Sequence, residues 1–259
     1  MKEKILDLIR KEQGPLRPSI HLHKGKDLTY KGSKIGGTPF LTCESDLVKK
    51  NGEYLKLLAQ VNLGDLDKLE GFPVGGILQV WIGDLNRSNF ENFEVKYFSP
   101  DQVEGGLTEE EAESVYLNPD DTTGMYPMYG AFALEGDYRE ECMAGRAFDN
   151  LDDEVLDDEK LFEYFLEDLK GTKLGGYPFT YRGSGPLLKD SSLVLIQMDS
   201  MEGDTGSLIW GNFGIANITM EKEDLEKLDF SKAKLYWDQS PDFMEDYGDD
   251  FGPFDGFSF

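Results

Sequence analysis

The chain has 259 residues, 39% of them hydrophobic and 12% aromatic, which is enough to bury a sizeable core and argues against global disorder. Its formal charge of −25 repels nucleic-acid backbones, so direct DNA or RNA binding is not expected. No run approaches the ~18 apolar residues of a spanning helix, and Met1-Lys2-Glu3-Lys4-Ile5-Leu6-Asp7 lacks the apolar stretch of a secretion signal; both features point to the cytoplasm rather than a membrane.

In chain order, Ile5, Leu8 and Ile9 share one face of a short amphipathic helix over residues 2–11, closed by Gly14-Pro15. Ser19 to His23 alternates polar and apolar residues, as a half-buried strand does. That alternation puts His21 and His23 on one face, where a metal pair could form, but spacing nominates no third ligand and no metal or cofactor is expected. Cys43 and Cys142, far apart and without metal-ligand spacing, read as free thiols. The dense apolar run Leu55–Leu63 reads as an interior strand, followed by further strands at Gly75–Ile82 and Glu94–Phe98. Thr108 with Glu111 forms a capping box that opens a short acidic helix from Glu109 to about Val115. Asp158–Leu169 reads as a better helix, with an apolar stripe of Leu161, Phe162, Phe165, Leu166 and Leu169. Strands are expected again at Leu193–Met198, Ser207–Trp210 and Lys234–Trp237, and a third helix at Thr219–Leu228.

The chain repeats itself. Lys34-Ile35-Gly36-Gly37-Thr38-Pro39-Phe40 returns as Lys173-Leu174-Gly175-Gly176-Tyr177-Pro178-Phe179, and Leu57-Leu58-Ala59-Gln60-Val61-Asn62 as Val194-Leu195-Ile196-Gln197-Met198-Asp199. A third match sets Gly76–Trp81 against Ser207–Trp210. Such an ordered recurrence indicates an internal duplication. The expected fold is therefore α+β, with internally duplicated, mostly antiparallel sheet halves and a few peripheral helices. One globular domain, residues 1–241, would be made of two halves (about 15–100 and 171–241) joined by an acidic segment, 101–170.

Charge follows the same division. Residues 101–170 carry 22 acids against four bases, and residues 242–259 carry six acids and no base, which leaves the remainder of the chain near neutral. That last stretch alternates its acids with Phe243, Tyr247, Phe251, Phe254, Phe257 and Phe259, either as an aromatic tail docking on the domain or as an acidic-aromatic peptide that binds another protein.

Catalytic signals are sparse. There are two histidines and no Gly-x-Ser-x-Gly elbow, and the acid pairs lie in segments expected to be solvated. The polar residues set within apolar elements stand out instead: Gln60, Asn62, Gln197, Asp199, and after them Trp210 and Asn212. Polar side chains in buried strands require partners. These six would either hydrogen-bond to loops, the Gly-Gly-x-Pro turns among them, or line a ligand cleft between the halves.

The ordered motifs Lys-x-Gly-Gly-x-Pro, Leu-Ala-Gln-Val-Asn, Lys-Leu-Gly-Gly-Tyr-Pro, Leu-x-Gln-x-Asp, Trp-Gly-Asn and Asp-Leu-Glu-Lys-Leu-Asp-Phe, from Lys34 to Phe230, resemble the bacterial YwqG-like family. The resemblance implies a cytosolic α+β protein built by duplication, found among candidate immunity proteins of toxin systems. It brings no activity, cofactor or catalytic residue. The expectation is a cytoplasmic, non-catalytic protein-interaction module, of immunity type by that resemblance, with a basic protein as partner. The alternative is a small-molecule-binding protein or enzyme using the cleft between the halves. Oligomeric state is not indicated.

Overall fold

The computed structural model describes residues 16–85, 92–116, 125–141, 169–181 and 192–240. The expected helix at 2–11, almost all of that at 158–169, Cys142 and the aromatic tail lie outside them.

Most described elements are strands: β1 (Arg17–Lys24), β2 (Lys34–Gly36), β3 (Lys49–Lys50), β4 (Glu53–Tyr54), β5 (Lys56–Asn62), β6 (Ile77–Ile82), β7 (Phe93–Phe98), β8 (Met128–Glu141), β9 (Thr172–Gly175), β10 (Ser192–Asp199), β11 (Met201–Glu202), β12 (Gly206–Leu208), β13 (Ile215–Glu221) and β14 (Lys234–Asp238). The described α-helices are α1 (Pro100–Glu104), α2 (Glu109–Val115) and α3 (Lys222–Glu226), none longer than seven residues. The protein is therefore mainly β, which corrects the α+β expectation. One reason is visible at Thr219–Leu228, expected to be helical. Its first residues complete β13, where Thr219 pairs with Lys234 and with Val194, and helix begins only at Lys222. Of the two leucines near its end, Leu225 is buried and Leu228 is exposed.

One antiparallel sheet takes twelve strands, ordered β14-β13-β10-β9-β1-β8-β2-β5-β6-β7, with β12 added to the start of β8 and β11 to β12. In chain order β1-β2-β5-β6-β7 is answered by β8-β9-β10-β13-β14. The leading strands are exchanged: β1 pairs with β9 and β8 with β2, while β1 and β8 pair with each other over eight residues at the centre. Details recur as well. The β5–β6 ladder shifts register between Leu57 and Ala59, and the β10–β13 ladder between Val194 and Ile196, the bulge falling at the same distance before Gln60 and Gln197.

The register corrects one of the expected matches. The counterpart of β6 is β13, not Ser207–Trp210: Gln60 lies opposite Gln79, and Gln197 opposite Asn217. Leu208 belongs to the small β11–β12 hairpin, and Trp210 makes only an isolated bridge. The likeness rested on a shared tryptophan and apolar residues, whereas strand register is fixed by which face is buried. The acidic 101–170 segment contributes β8, the longest described strand, to the middle of the sheet. Its acids Glu135, Asp137 and Glu140 are exposed, while Phe132, Ala133 and Leu134 are buried.

The sheet curls until its edges approach, with the Tyr97 ring of β7 tilted against that of Phe230, just before β14, at 6.0 Å between centroids. Inside lies a core shared by both halves, including Ile20, Val61, Val80, Phe132, Leu174, Ile196, Trp210 and Ile218. A second core, with Phe40, Leu57, Trp81 and Phe98, covers the outer face of the first half beneath α1 and α2.

The Gly-Gly pairs shape both halves. Gly36, Gly37, Gly175 and Gly176 all have positive φ, a region that glycine enters without penalty. A Cβ on Gly36 would lie 2.3 Å from the Gly130 carbonyl, and one on Gly175 would lie 2.7 Å from that of Pro18. Each glycine thus lets its loop close against the exchanged strand.

Candidate functional site

Six side chains were expected to meet partners in loops or a ligand in a cleft. Gln60, fully buried on β5, uses its whole amide internally. Its Oε1 accepts from Phe40 N (2.8 Å) and Gln79 Nε2 (2.9 Å), and its Nε2 donates to the carbonyls of Tyr30 (2.8 Å) and Gly32 (3.0 Å). Gln197 repeats this on β10: Oε1 accepts from Phe179 N (2.7 Å), and Nε2 donates to the Leu169 (2.9 Å) and Gly171 (2.8 Å) carbonyls. Asn62 Oδ1 accepts from Gly64 N, and Asp199 accepts from Gly171 N and Ser200 N. Trp210 is buried in the shared core with its Nε1 unpartnered, and Asn212 is exposed. The two glutamines thus clamp the start of each repeated loop to the residue that follows its proline. The six side chains do not converge on one space.

Neighbours repeat too. Gln79 Nε2 donates to Phe40 O (2.7 Å), and Asn217 Nδ2 donates to Phe179 O (2.8 Å). Asn62 N donates to Ser33 Oγ, and Asp199 N to Thr172 Oγ1. Lys34 Nζ and Lys173 Nζ each donate to the carbonyl four residues earlier, Tyr30 (2.7 Å) and Leu169 (2.9 Å).

Around the lysines the halves part. Lys173, fully buried, also donates to Glu141 Oε2 at 2.7 Å, and His21 Nε2 donates to Glu141 Oε1 at 2.7 Å. The Tyr177 N–H completes the shell at 2.9 Å. Burial pushes the Glu141 carboxyl up, but the His21 hydrogen bond, the Lys173 charge and hydrogen bond, and the Tyr177 N–H outweigh it and hold the group below the usual carboxylate range. This clasp joins β1, β8 and β9, the strands of the exchange. Lys34 has a second carbonyl instead, Thr29 O at 3.3 Å, and burial lowers its pKa to about 8, while the distant charge of Glu109 opposes the shift. Sequence reasoning missed Glu141, one carboxylate among 22; its only signal was the apolar run that precedes it in β8.

His21 and His23 do share a face of β1, but His21 bonds Glu141 and His23 bonds Asp137 (3.1 Å). Among the described residues no group of three His, Cys, Asp or Glu side chains stands close enough to hold a metal ion. Cys43 is a free, exposed thiol.

A small cleft of about 150 Å³ lies between the 63–75 loop and the sheet, lined by Ile20, Leu66, Leu69, Phe72, Val74 and Leu174 among others. None of the six expected residues borders it, and it is smaller than the ~300–1,000 Å³ of drug-sized sites. The outer surface near α1 and α2 has a different character. Asp101, Glu104, Glu109, Glu110, Glu111 and Glu113 are all exposed, and no lysine or arginine occurs between 100 and 116. Among the described residues, none of the six forms an ion pair. No described helix is long and apolar enough to cross a membrane.

A family model described as "Domain of unknown function (DUF1963)" matches residues 33–238, which include both Gly-Gly loops, Gln60, Gln197, Glu141 and Lys173. The chain belongs to this family. A search of curated proteins found no match.

Proposed function

Starting from membership in a family whose description carries no activity, we propose that the protein is a non-catalytic interaction module that binds a basic protein partner through the α1–α2 face. The observation that carries this reading is the set of six exposed carboxylates over residues 100–116, with no base among them. Clustered charge of one sign accelerates encounter with an oppositely charged partner and makes association salt-sensitive. The rest of the chain's −25 reinforces that field. A small-molecule or catalytic cleft is the weaker reading, since the amides of Gln60 and Gln197 already bond their own backbone. The finer YwqG-like assignment, an immunity role against a basic toxin and a cytoplasmic setting belong to the same proposal.

The test is capture from lysate of the native cell on immobilised protein, at low and high salt, beside a variant with Glu109→Gln, Glu110→Gln and Glu113→Gln. A basic protein retained at low salt, released by salt and lost with the variant is the expected result. No retention at low salt, or equal retention by the variant, would overturn the proposal.

A further inference from the structure

The second half of the sheet displays a carboxylate site already filled by the chain itself. The Glu141 carboxylate lies against the α-carbon of Gly176, where a Cβ would come within 2.3 Å of Oε2, and it accepts from Lys173 Nζ and Tyr177 N. The first half keeps three of these four features. Lys34 matches Lys173, as the matched bonds to Tyr30 O and Leu169 O show. Gly37 matches Gly176, with positive φ in both. Thr38 stands where Tyr177 stands in the repeated loop. What differs is the filling. Among the described residues, a Cβ on Gly37 would meet the Ala131 methyl, at 3.1 Å, and no carboxylate. No described side chain accepts from the Thr38 N–H or pairs with Lys34 as Glu141 pairs with Lys173. The position answering to His21 is Ala133: Ile20 lies opposite Leu174 and Phe132 opposite Ile35, so the next residues, His21 and Ala133, face Lys173 and Lys34. A bulky imidazole is thus exchanged for a methyl.

We propose that the Lys34–Gly37–Thr38 corner is a binding site for a carboxylate supplied from outside the chain, held by the Lys34 ammonium and the Thr38 N–H. The chemistry is that of a charge-assisted hydrogen bond joined to a backbone donor, the same pair that Glu141 receives in the other half. The residues that face Gly37 and Lys34 from the exchanged strand, Ala131 and Ala133, are small, which suits a compact acid or one acidic side chain. The site uses none of the acidic residues of the proposed protein-binding face, although Lys34 feels Glu109 through space. The two proposals therefore stand or fall separately.

The test is an amide NMR titration of the full chain with sodium acetate against sodium chloride at matched ionic strength, reading Gly37 and Thr38. A second arm uses an end-blocked Gly-Glu-Gly peptide, and saturation by either carboxylate supports the site while telling a free acid from a protein side chain. The expected result is a saturable shift in the millimolar range, absent with chloride and abolished by Lys34→Met. Shifts that fail to saturate with both carboxylates, or that survive Lys34→Met, would overturn the proposal. Glu141→Ala supplies a check on the shell itself: acetate should raise its thermal midpoint but not that of Glu141→Ala combined with Lys173→Met. If acetate leaves the single variant unmoved, the shell does not hold free carboxylates and the inference fails.

Discussion

Replacing Gln60 by leucine tests whether the buried amide serves the fold. The change keeps the side chain's bulk and removes four hydrogen bonds. Two of the abandoned acceptors have cover: Tyr30 O keeps Lys34 Nζ, and Gly32 is only half-buried, within reach of water. The abandoned donors do not. Phe40 N–H and one N–H of Gln79 lose their acceptor in a core where both residues are fully buried. An orphaned buried donor costs about 1–3 kcal/mol, so the variant should lose about 2–6 kcal/mol. Gln197→Leu orphans only Phe179 N–H, because the shorter Asn217 reaches Phe179 O but not Gln197; its cost should be about 1–3 kcal/mol. Urea unfolding of the two variants beside the parent, read by tryptophan fluorescence, measures both. Losses below about 1 kcal/mol in each, or a larger loss for Gln197→Leu, would refute the clamp as the role of these glutamines.

Lys34 makes stability depend on alkaline pH. Its folded pKa of about 8 lies below the ordinary 10.5, so the unfolded chain binds more protons between those values and stability rises with pH across that window, by about 3 kcal/mol. Lys34→Met should remove that rise while leaving Tyr30 O bonded to Gln60; equal pH slopes for parent and variant would contradict the assignment. Glu141→Gln should cost about 3–5 kcal/mol near neutrality, since Lys173 is left buried without its counter-charge. The folded pKa of Glu141 is depressed, so the carboxylate's contribution is present above its ordinary value of 4.5 and is lost as pH falls through the folded value. The gap between parent and variant, followed by denaturant melts from pH 7 downward, should therefore narrow in acid; a constant gap would argue against it.

Period-two alternation located β1, and the apolar residues of β5, β6, β7, β10 and β14 placed those strands within a residue or two. The capping box at Thr108 placed α2. Buried amides at Gln60 and Gln197 implied partners, and those partners proved to be the loops that open and close around each Gly-Gly pair. What sequence could not convey was long-range. β8 reads as an acidic connection because its charged residues occupy the exposed face, and only its pairing with β1 and β2 makes it the centre of the sheet. The third repeated element was misplaced because Trp81 has no tryptophan counterpart: Thr219 occupies its position on β13.

The exchanged strands explain why the two halves drifted apart where they did. Each lysine lies on a short strand, β2 or β9, beside the leading strand of the other half. β8 continues past its contact with β2 to Glu141, which reaches Lys173 across β1. β1 ends at Lys24, short of the corresponding reach, and the chain turns back through Gly25 to the Thr29 and Tyr30 carbonyls that receive Lys34. A difference in the length of one strand thus decides whether a buried lysine meets a carboxylate or two carbonyls. In a duplicated sheet such a difference can open one copy of a site to outside ligands while the other copy stays closed, because the Glu141 clasp holds the exchanged strands together whether or not the first half is occupied.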